Sequence, residues 1–550
     1  MKFIKILKLY FETIKYLKFK QIFYRALLYL NKVKKLENSI TELRLRDAKK
    51  KWIKSPPNSK SMLSKTTFFF LNKKESLNEI YRYNKRINKL WMYNFHYFDY
   101  LNSYDSFQKK DWYRELIFSW IKKYSFGTSP GWDSYTTSLR IVNWTKWYLN
   151  GNVLLENEKK SLSLQAEYLY NKIEFHLMGN HLLANAKALI FAGSFLEGYS
   201  ANKWFEKGIK LLSKECQEQI LHDGGHFERS PMYHSIIYED FLDILNLSKV
   251  YPSLFKKYEY NIKILITLTN KMAEWLEVMT HPDGEVSFFN DSAMKIAKSK
   301  NTLFKYHNQI TFFKKPLLNK ITFLKASGYV RVKLKNLDII IDVAPIGPDY
   351  IPGHAHADTL SYEISLFKKR VIVNSGTSTY EYGCLREWQR STLAHNTVEI
   401  DELNSSKVWH SFRVGKRAYP FDININEKDN KVIIRASHDG FNNILNKRIH
   451  TRTWVIKTNK IDILDEISGK FKKGLLRTYF HPDIKIDNRQ NDIILKNKNI
   501  KWKTNCKEFT IKNSCWYPEF GKMLKNKCIE MKVTKYKNER GFNKFTLEWS

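Results

Sequence analysis

The hydrophobic pattern of this chain changes period once along its 550 residues, and that change limits the fold more than any single motif does. Between about residues 70 and 310, the stretches "YRELIFSWIKKY", "TSLRIVNWTKWYL", "KSLSLQAEYLYNKIEFHL", "HLLANAKALIFAGSFLEGY", "SIIYEDFLDILNLSKVY" and "ILITLTNKMAEWLEVM" carry apolar side chains three and four residues apart. That spacing gives a helix one apolar face. Beyond about residue 320, "DIIIDVA", "LSYEISLF", "KRVIVNSG", "HNTVEID", "KVIIRAS", "RTWVIKT" and "IDILDEI" are short, β-branched and of period two, as strands are. Helices first and strands afterwards make two domains rather than an alternating α/β fold. Antiparallel helices with one apolar face pack as a toroid or solenoid of pairs, and the strands suit an antiparallel sandwich. The expected fold is therefore α+β multidomain, with an arm and linker at 1–55, the helical domain at 56–315 and the sandwich at 316–550.

Composition narrows the partners. Apolar residues at 43% and aromatics at 15% are enough for two large cores and exclude a disordered or fibrous chain. Lys and Arg number 93 against 55 Asp and Glu, an excess of 38. Such a field attracts polyanions, whether nucleic acid, anionic lipid or acidic polysaccharide. No helix-turn-helix, zinc finger, RNP or Walker pattern accompanies it, so no nucleic-acid partner is expected. The five cysteines are odd in number and form no CxxC pair, and they read as reduced thiols.

The opening "MKFIKILKLYFETIKYLKFKQIFYRALLYL" is apolar but repeatedly broken by lysine. It lacks the uninterrupted core of a signal peptide and the roughly 20 apolar residues of a spanning helix. Two readings stay open: residues 1–30 lie as a basic amphipathic arm on an anionic membrane surface, or they pack on the protein's own body. Without an export signal, the expected location is the cytoplasm or the cytoplasmic face of the membrane.

In "FHLMGNHLLANAKAL", Asn180 and His181 open an apolar helix, where the dipole favours an anion. An Asn N-cap and a first-turn His also need no function. In "HDGGHFERSPMYHSIIYEDF", Ser230 as N-cap and Pro231 at the first helical position set Tyr233 in a first turn, where a phenol can move a proton. Read as extended, "GHAHADTLSYEISLF" puts His354, His356 and Asp358 on one face, and His395 in "RSTLAHNTVEID" offers a third imidazole for a metal. Arg140 and Arg229 suit either bidentate carboxylate binding or inter-helix salt bridges. Trp132, Trp144 and Tyr135 suit either sugar stacking or the core. Asp283 and Asp291 in "HPDGEVSFFNDS", with Glu228, offer the carboxylate pair of a glycoside hydrolase, a rival chemistry.

Taken in order, the blocks "WMYNFHYFDYL", "GWDSYTTSLRIVNW", "GNHLLANAKAL", "DGGHFERSPMYH", "HPDGEVSFFNDS", "GHAHADTLSYEI", "NSGTSTY" and "RSTLAHNTVEID" resemble the heparinase II/III-like family of polysaccharide lyases. The resemblance covers roughly residues 90–550 and is greatest to members found beside bacterial surface-polysaccharide genes. It implies an α/α toroid followed by an antiparallel β-sandwich, with the active site between them, and β-elimination at a uronate of an acidic polysaccharide. It further implies that Asn180 and His181 neutralise the substrate carboxylate, that Tyr233 is the acid or acid/base and that His354 is a base for the other sugar epimer. Tyr380 corresponds to a further catalytic tyrosine, with Tyr382 competing for that place or touching substrate. In metal-bearing members zinc is held at the positions of His356, Asn374 and His395. Asn374 is a neutral amide where those members carry aspartate, which argues against zinc here. The class outside catalysis that fits the same features is a glycan-binding or assembly protein at the membrane.

Overall fold

The structure, a computed structural model, describes residues 2–30, 44–82, 86–443, 446–487, 492–495, 498–536 and 540–550. Helices Lys89–Tyr97, Lys110–Lys123, Ser134–Leu149, Glu156–Asn171, Asn180–Phe195, Tyr199–Gln219, Pro231–Val250, Glu259–Val278 and Lys300–Ile310 wind into an α/α toroid around one contiguous core. Helix Asn180–Phe195 is buried at nearly every position, as its all-round apolar sequence requires of an inner helix. Tyr199–Gln219 outside it buries only a stripe that includes Trp204, Phe205, Ile209 and Leu212.

The linker that follows the arm packs on the toroid: Trp52 lies against Phe191, and Asn246 binds both the N–H and the C=O of Ile53. Ahead of the helices and overlapping the first residues of the stretch read as helical from about residue 70, Met62–Ser64, Thr67–Phe70 and Lys73–Ser76 form a small antiparallel sheet. Its alternation sends Phe68 and Phe70 inward against Phe95 and Trp91, so side-chain burial at period two decided the strand.

The strands begin at Ile321. An antiparallel meander of Ile321–Leu324, Tyr329–Lys333, Leu337–Asp342, Tyr362–Leu366 and Lys369–Ile372 forms one sheet. A larger antiparallel sheet runs from Pro420–Lys428 through Lys431–His438, Ile449–Lys457 and Lys460–Ser468 to the C-terminal Arg540–Trp549. A third contains Val398–Ile400, Gly474–Tyr479, Leu524–Lys532 and Phe509–Trp516. Their inward residues share a core of Val, Ile, Leu and Trp.

The segment "PGHAHAD" was expected to be extended, but strand geometry begins only at Tyr362. Leu360 sits at φ 63°, and residues 343–361 are loop. His354 and His356 therefore share no strand face. They meet because the loop folds them around one carboxylate.

The basic arm forms helices Lys2–Ile14 and Phe19–Leu30. One side packs on both domains: Tyr10 meets Trp409 edge-on at 5.0 Å, Gln21 Nε2 donates to the Tyr350 carbonyl, and Lys18 pairs with Glu218. The other side exposes Ile6, Leu7, Phe11, Ile14, Phe19, Ile22 and Phe23. Among the described residues no helix is long and apolar enough to cross a membrane.

Candidate active site

The cleft between the domains has a helical wall and a sandwich wall. On the helical side, Gly179 caps helix Asn180–Phe195 at φ 58°, and a Cβ there would collide with Glu228 Oε1. Glu228 fills the anion position at this helix start: Asn180 donates its backbone N–H to Oε1 at 3.0 Å and its Nδ2 to both oxygens at 3.1 Å. Burial works against the charge of Glu228, yet His226, His354 and the Asn180 N–H together hold its pKa below the usual carboxylate range. His181, the next residue, lies 3.2 Å from Glu174 and against the Tyr135 ring at 4.6 Å. Burial opposes its positive charge, but Glu174 outweighs burial and raises the pKa. Ser230 caps the next helix by accepting from the Tyr233 N–H, with Pro231 at its first position. Tyr233 thus projects from the first turn.

On the sandwich side, His354 lies over Tyr233 with ring centroids 4.1 Å apart, and its side chain is only 13% exposed. Its Nδ1 is 2.9 Å from Asp291 Oδ2, while Nε2 faces Glu228 Oε2 at 3.7 Å. Asp291 is buried, which alone would raise its pKa. The Arg386 guanidinium, gripping both carboxylate oxygens, with His354 and His356, pulls it well below the ordinary value instead. The firmly ionised Asp291 holds His354 through Nδ1 and so turns Nε2 toward the cleft. The Tyr380 and Tyr233 hydroxyls are 3.1 Å apart. Burial first, then neighbouring groups, hold both phenols well above their usual pKa, so each stays protonated.

Behind His354, His356 Nε2 approaches Asp291 Oδ1 at 2.9 Å, and His395 Nδ1 approaches the Ser391 carbonyl at 2.7 Å. Both partners are acceptors, so both nitrogens carry hydrogen. The nitrogens left over, His356 Nδ1 and His395 Nε2, face each other at 3.1 Å. Burial lowers the pKa of both rings, that of His356 to about 4. Two neutral imidazoles would then oppose lone pair to lone pair, an arrangement that calls for a cation between them. Asp358 places a carboxylate oxygen within 4.8 Å of both, and among the described residues it has no ion pair. These three residues fit the zinc that the family resemblance implies, with Asp291 and the Ser391 carbonyl as outer partners that orient the imidazoles. Asn374 does not belong to the set. Its Oδ1 accepts from the N–H and Nδ2 of Asn396, and its Nδ2 donates to the Phe288 carbonyl and Ser361.

Tyr233, His354 and Tyr380 therefore touch one another, Asn180 joins them through Glu228, and His181, the next residue, contacts Glu174 and Tyr135. Four other candidates do not share that cluster. Arg140 is wholly buried, donating to Gln165 and the Gly131 carbonyl and lying over Trp120 at 4.0 Å. Trp132 is core, packed between Phe126 and Tyr168. Arg229 is buried and donates to the Ser327 carbonyl of the sandwich domain. Tyr382 points outward and stacks on His410. The hydrolase pair also lacks an acid: Asp291 is held well below its usual pKa by Arg386 and by hydrogen bonds from His354 and His356 despite burial, Asp283 is held below its usual pKa by Arg370 despite burial, and Glu228 is likewise depressed. A glycosidase acid needs the opposite shift. Sequence reasoning missed Arg386 and Phe412, which sit in stretches without a recognisable pattern.

The fold and site define a protein with a His, Tyr and Asn cleft between an α/α toroid and a β-sandwich. Residues 135–318 match the family described as Heparinase II/III N-terminus, and residues 317–544 match Heparinase II/III-like, C-terminal; the chain belongs to the heparinase II/III-like family. It is 26% identical over 351 residues to a heparin-sulfate lyase of Bacteroides stercoris, covering 59% of this chain and 50% of that protein. It is 32% identical over 358 residues to one of Bacteroides thetaiotaomicron, covering 53% and 49%. The chain thus spans about half the length of the curated relatives it matches. The crystal structure of a heparinase III superposes with a TM-score of 0.67 at 19% identity, covering 85% of this chain and 77% of that one. Heparan sulfate lyase HepC from Pedobacter heparinus gives 0.56 at 17%, covering 85% and 78%. At these identities the likeness shows the fold.

Proposed function

We propose that the protein is a polysaccharide lyase that cleaves an acidic, uronate-containing glycan of the heparan sulfate kind by β-elimination, in bacterial surface-polysaccharide metabolism. The observation that carries this reading is the contact of His354 with Tyr233, which sets an imidazole Nε2 and two protonated phenols at a single point of the cleft. His354 Nε2, in its neutral form, takes the proton α to the uronate carboxylate. The electrons left behind give an enolate-like dianion, which the cationic His181 stabilises while Asn180 stays bound to Glu228 beside it. The glycosidic C–O bond then breaks as Tyr233, with Tyr380 hydrogen-bonded behind it, gives its proton to the leaving oxygen. The double bond formed is that of an unsaturated uronate. Incubation with a panel of acidic glycans, heparan sulfate included, is expected to give ultraviolet-absorbing unsaturated product that Tyr233→Phe and His181→Ala largely abolish. Binding without product would favour the non-catalytic reading.

His356, Asp358 and His395 would hold a divalent metal, zinc by donor type, which when bound would lock His356 against Asp291 and so brace His354. Zinc should raise the melting temperature of the protein, and Asp358→Ala should remove the shift while Asn374→Ala keeps it. An unchanged melting curve would leave a proton as the shared cation. We further place the protein on the cytoplasmic face of the membrane, its lysine-rich arm turned to anionic lipid. The exposed apolar stripe flanked by Lys8 and Lys15 supports this placement. Deleting residues 2–30 should release the protein from the membrane fraction, and an unchanged distribution would refute the placement.

A further inference from the structure

Just outside the cleft, the short hairpin of Val408–Trp409 and Arg413–Val414 carries residues 410–412 at its tip. The tip is fixed through its backbone by two fully buried arginines of helix Cys384–Arg390. Arg390 Nη1 donates to the carbonyls of His410 at 3.0 Å and Arg413 at 3.3 Å, while its Nε holds the Ala355 carbonyl. Arg386 Nε donates to the Ser411 carbonyl at 3.1 Å, and Nη2 of the same guanidinium holds Asp291 at 2.7 Å. From behind, Trp409 is wedged by Tyr10 and donates from Nε1 to Thr13.

This rigid support presents aromatic surface to water. Phe412 is 42% exposed, yet its ring lies 5.9 Å from His354 and 5.3 Å from Tyr380. Tyr382 is 65% exposed and lies parallel to His410 at 4.4 Å and 11°. Tyr380 and Tyr382 leave one loop in opposite senses, the first into the cleft and the second onto its rim. Exposed aromatics joined to a polar cleft are informative where isolated exposed apolar residues are not. Held rigid, they give up little conformational entropy on binding.

We propose that Phe412 and the stacked Tyr382–His410 pair form a sugar-stacking platform, a subsite for the apolar C–H faces of the pyranose rings next to the one that reacts. The inference rests on the lyase reading for its reaction, while its geometry stands apart from the catalytic groups. Arg386 connects the two, since one guanidinium fixes both the Asp291 that orients His354 and the backbone that carries Phe412.

The test uses Phe412→Ala, Tyr382→Ala and the double variant in the full chain, with heparan sulfate and size-fractionated oligosaccharides as probes. Each single variant should raise KM about 3- to 10-fold, the range an aromatic contact supplies. The loss should be larger for long oligosaccharides than for short ones, and Phe412→Trp should restore affinity where Phe412→Leu does not. Unchanged KM and product lengths in the double variant would overturn the platform. If wild-type protein yields no unsaturated product, the lyase reading fails instead. Electrophoresis through a heparan sulfate gel then decides the platform separately: reduced retardation of the double variant supports it, and equal retardation overturns it.

Discussion

Two histidine clusters in this protein are built from the same parts and do different things. At the cleft, Asp291 is gripped by Arg386 and contacts His356, which faces His395 at 3.1 Å. Inside the sandwich, Asp465 is gripped by Arg452 and contacts His450, which faces His438, also at 3.1 Å. The difference lies in the last hydrogen bond. His438 Nδ1 accepts from the Gly440 N–H at 3.1 Å, so its Nε2 carries hydrogen and donates to His450. Every nitrogen of that chain is satisfied by neutral rings. His395 Nδ1 meets a carbonyl instead, which reverses its tautomer and leaves two lone pairs opposed. One backbone group, N–H against C=O, separates a closed structural relay from a site that calls for a cation. A second difference is access: a further partner of Asp291, His354, reaches the cleft, whereas Asp465, His450 and His438 are fully buried.

If that contrast is right, the largest effect appears in activity and falls on one cluster only. His354→Gln and Tyr233→Phe should each lower kcat/KM about 10²- to 10⁴-fold, the span of a lost acid or base. His450→Gln, assayed where it remains folded, should stay close to wild type. A comparable activity loss in His450→Gln would erase the distinction.

Stability should fail to separate the two. Asp291→Ala and Asp465→Ala each leave a buried arginine unpaired, and each should cost about 3–5 kcal/mol in urea unfolding. A value near zero for either would mean that its arginine finds water or another partner. A smaller effect restores the contrast: zinc at 100 times its dissociation constant should stabilise wild type by about 2.7 kcal/mol, and His395→Gln should lose that increment while His438→Gln keeps it.

Much of this architecture is legible in the residues, and what is not has a physical reason. The period change near residue 320 located the boundary between helices and strands, because burial on one face dictates period. Ser230 and Pro231 announced the helix that carries Tyr233, since capping is local chemistry. Contacts made across the fold left no local trace. Glu228 at the start of helix Asn180–Phe195, Arg386 on Asp291 and His395 facing His356 are each brought in from distant sequence by tertiary folding. The alternation argument for "GHAHAD" fails because Leu360 turns the chain at positive φ, a backbone state that leucine rarely adopts and that periodicity cannot register. Arg140 looked like a carboxylate ligand because guanidinium chemistry is the same in a core as in a cleft; burial alone distinguishes them.

The remaining predicted effect is the pH dependence of stability, and its sign can be worked out. His226 and His356 are pushed down to about 4, His234 to about 3 and His438 well below its ordinary value, in each case chiefly by burial. Below about pH 6.5 the unfolded chain binds protons that these native rings refuse, so stability falls as pH drops from about 6.5 toward 4. His181 runs the other way. Its raised pKa contributes stability that is complete below about 6.5 and disappears as pH rises through the folded value. Being partly exposed, its share is the more heavily screened. Urea midpoints at pH 7.5, 6.0 and 5.0 should therefore decline on the acid side, and replacing His234 with a neutral residue of similar size should flatten the decline. His181→Gln should change only the neutral-to-alkaline limb. An acid limb that is flat in wild type would mean that the buried rings are already charged, and the satisfied neutral relay of His438 and His450 would then have to be abandoned first.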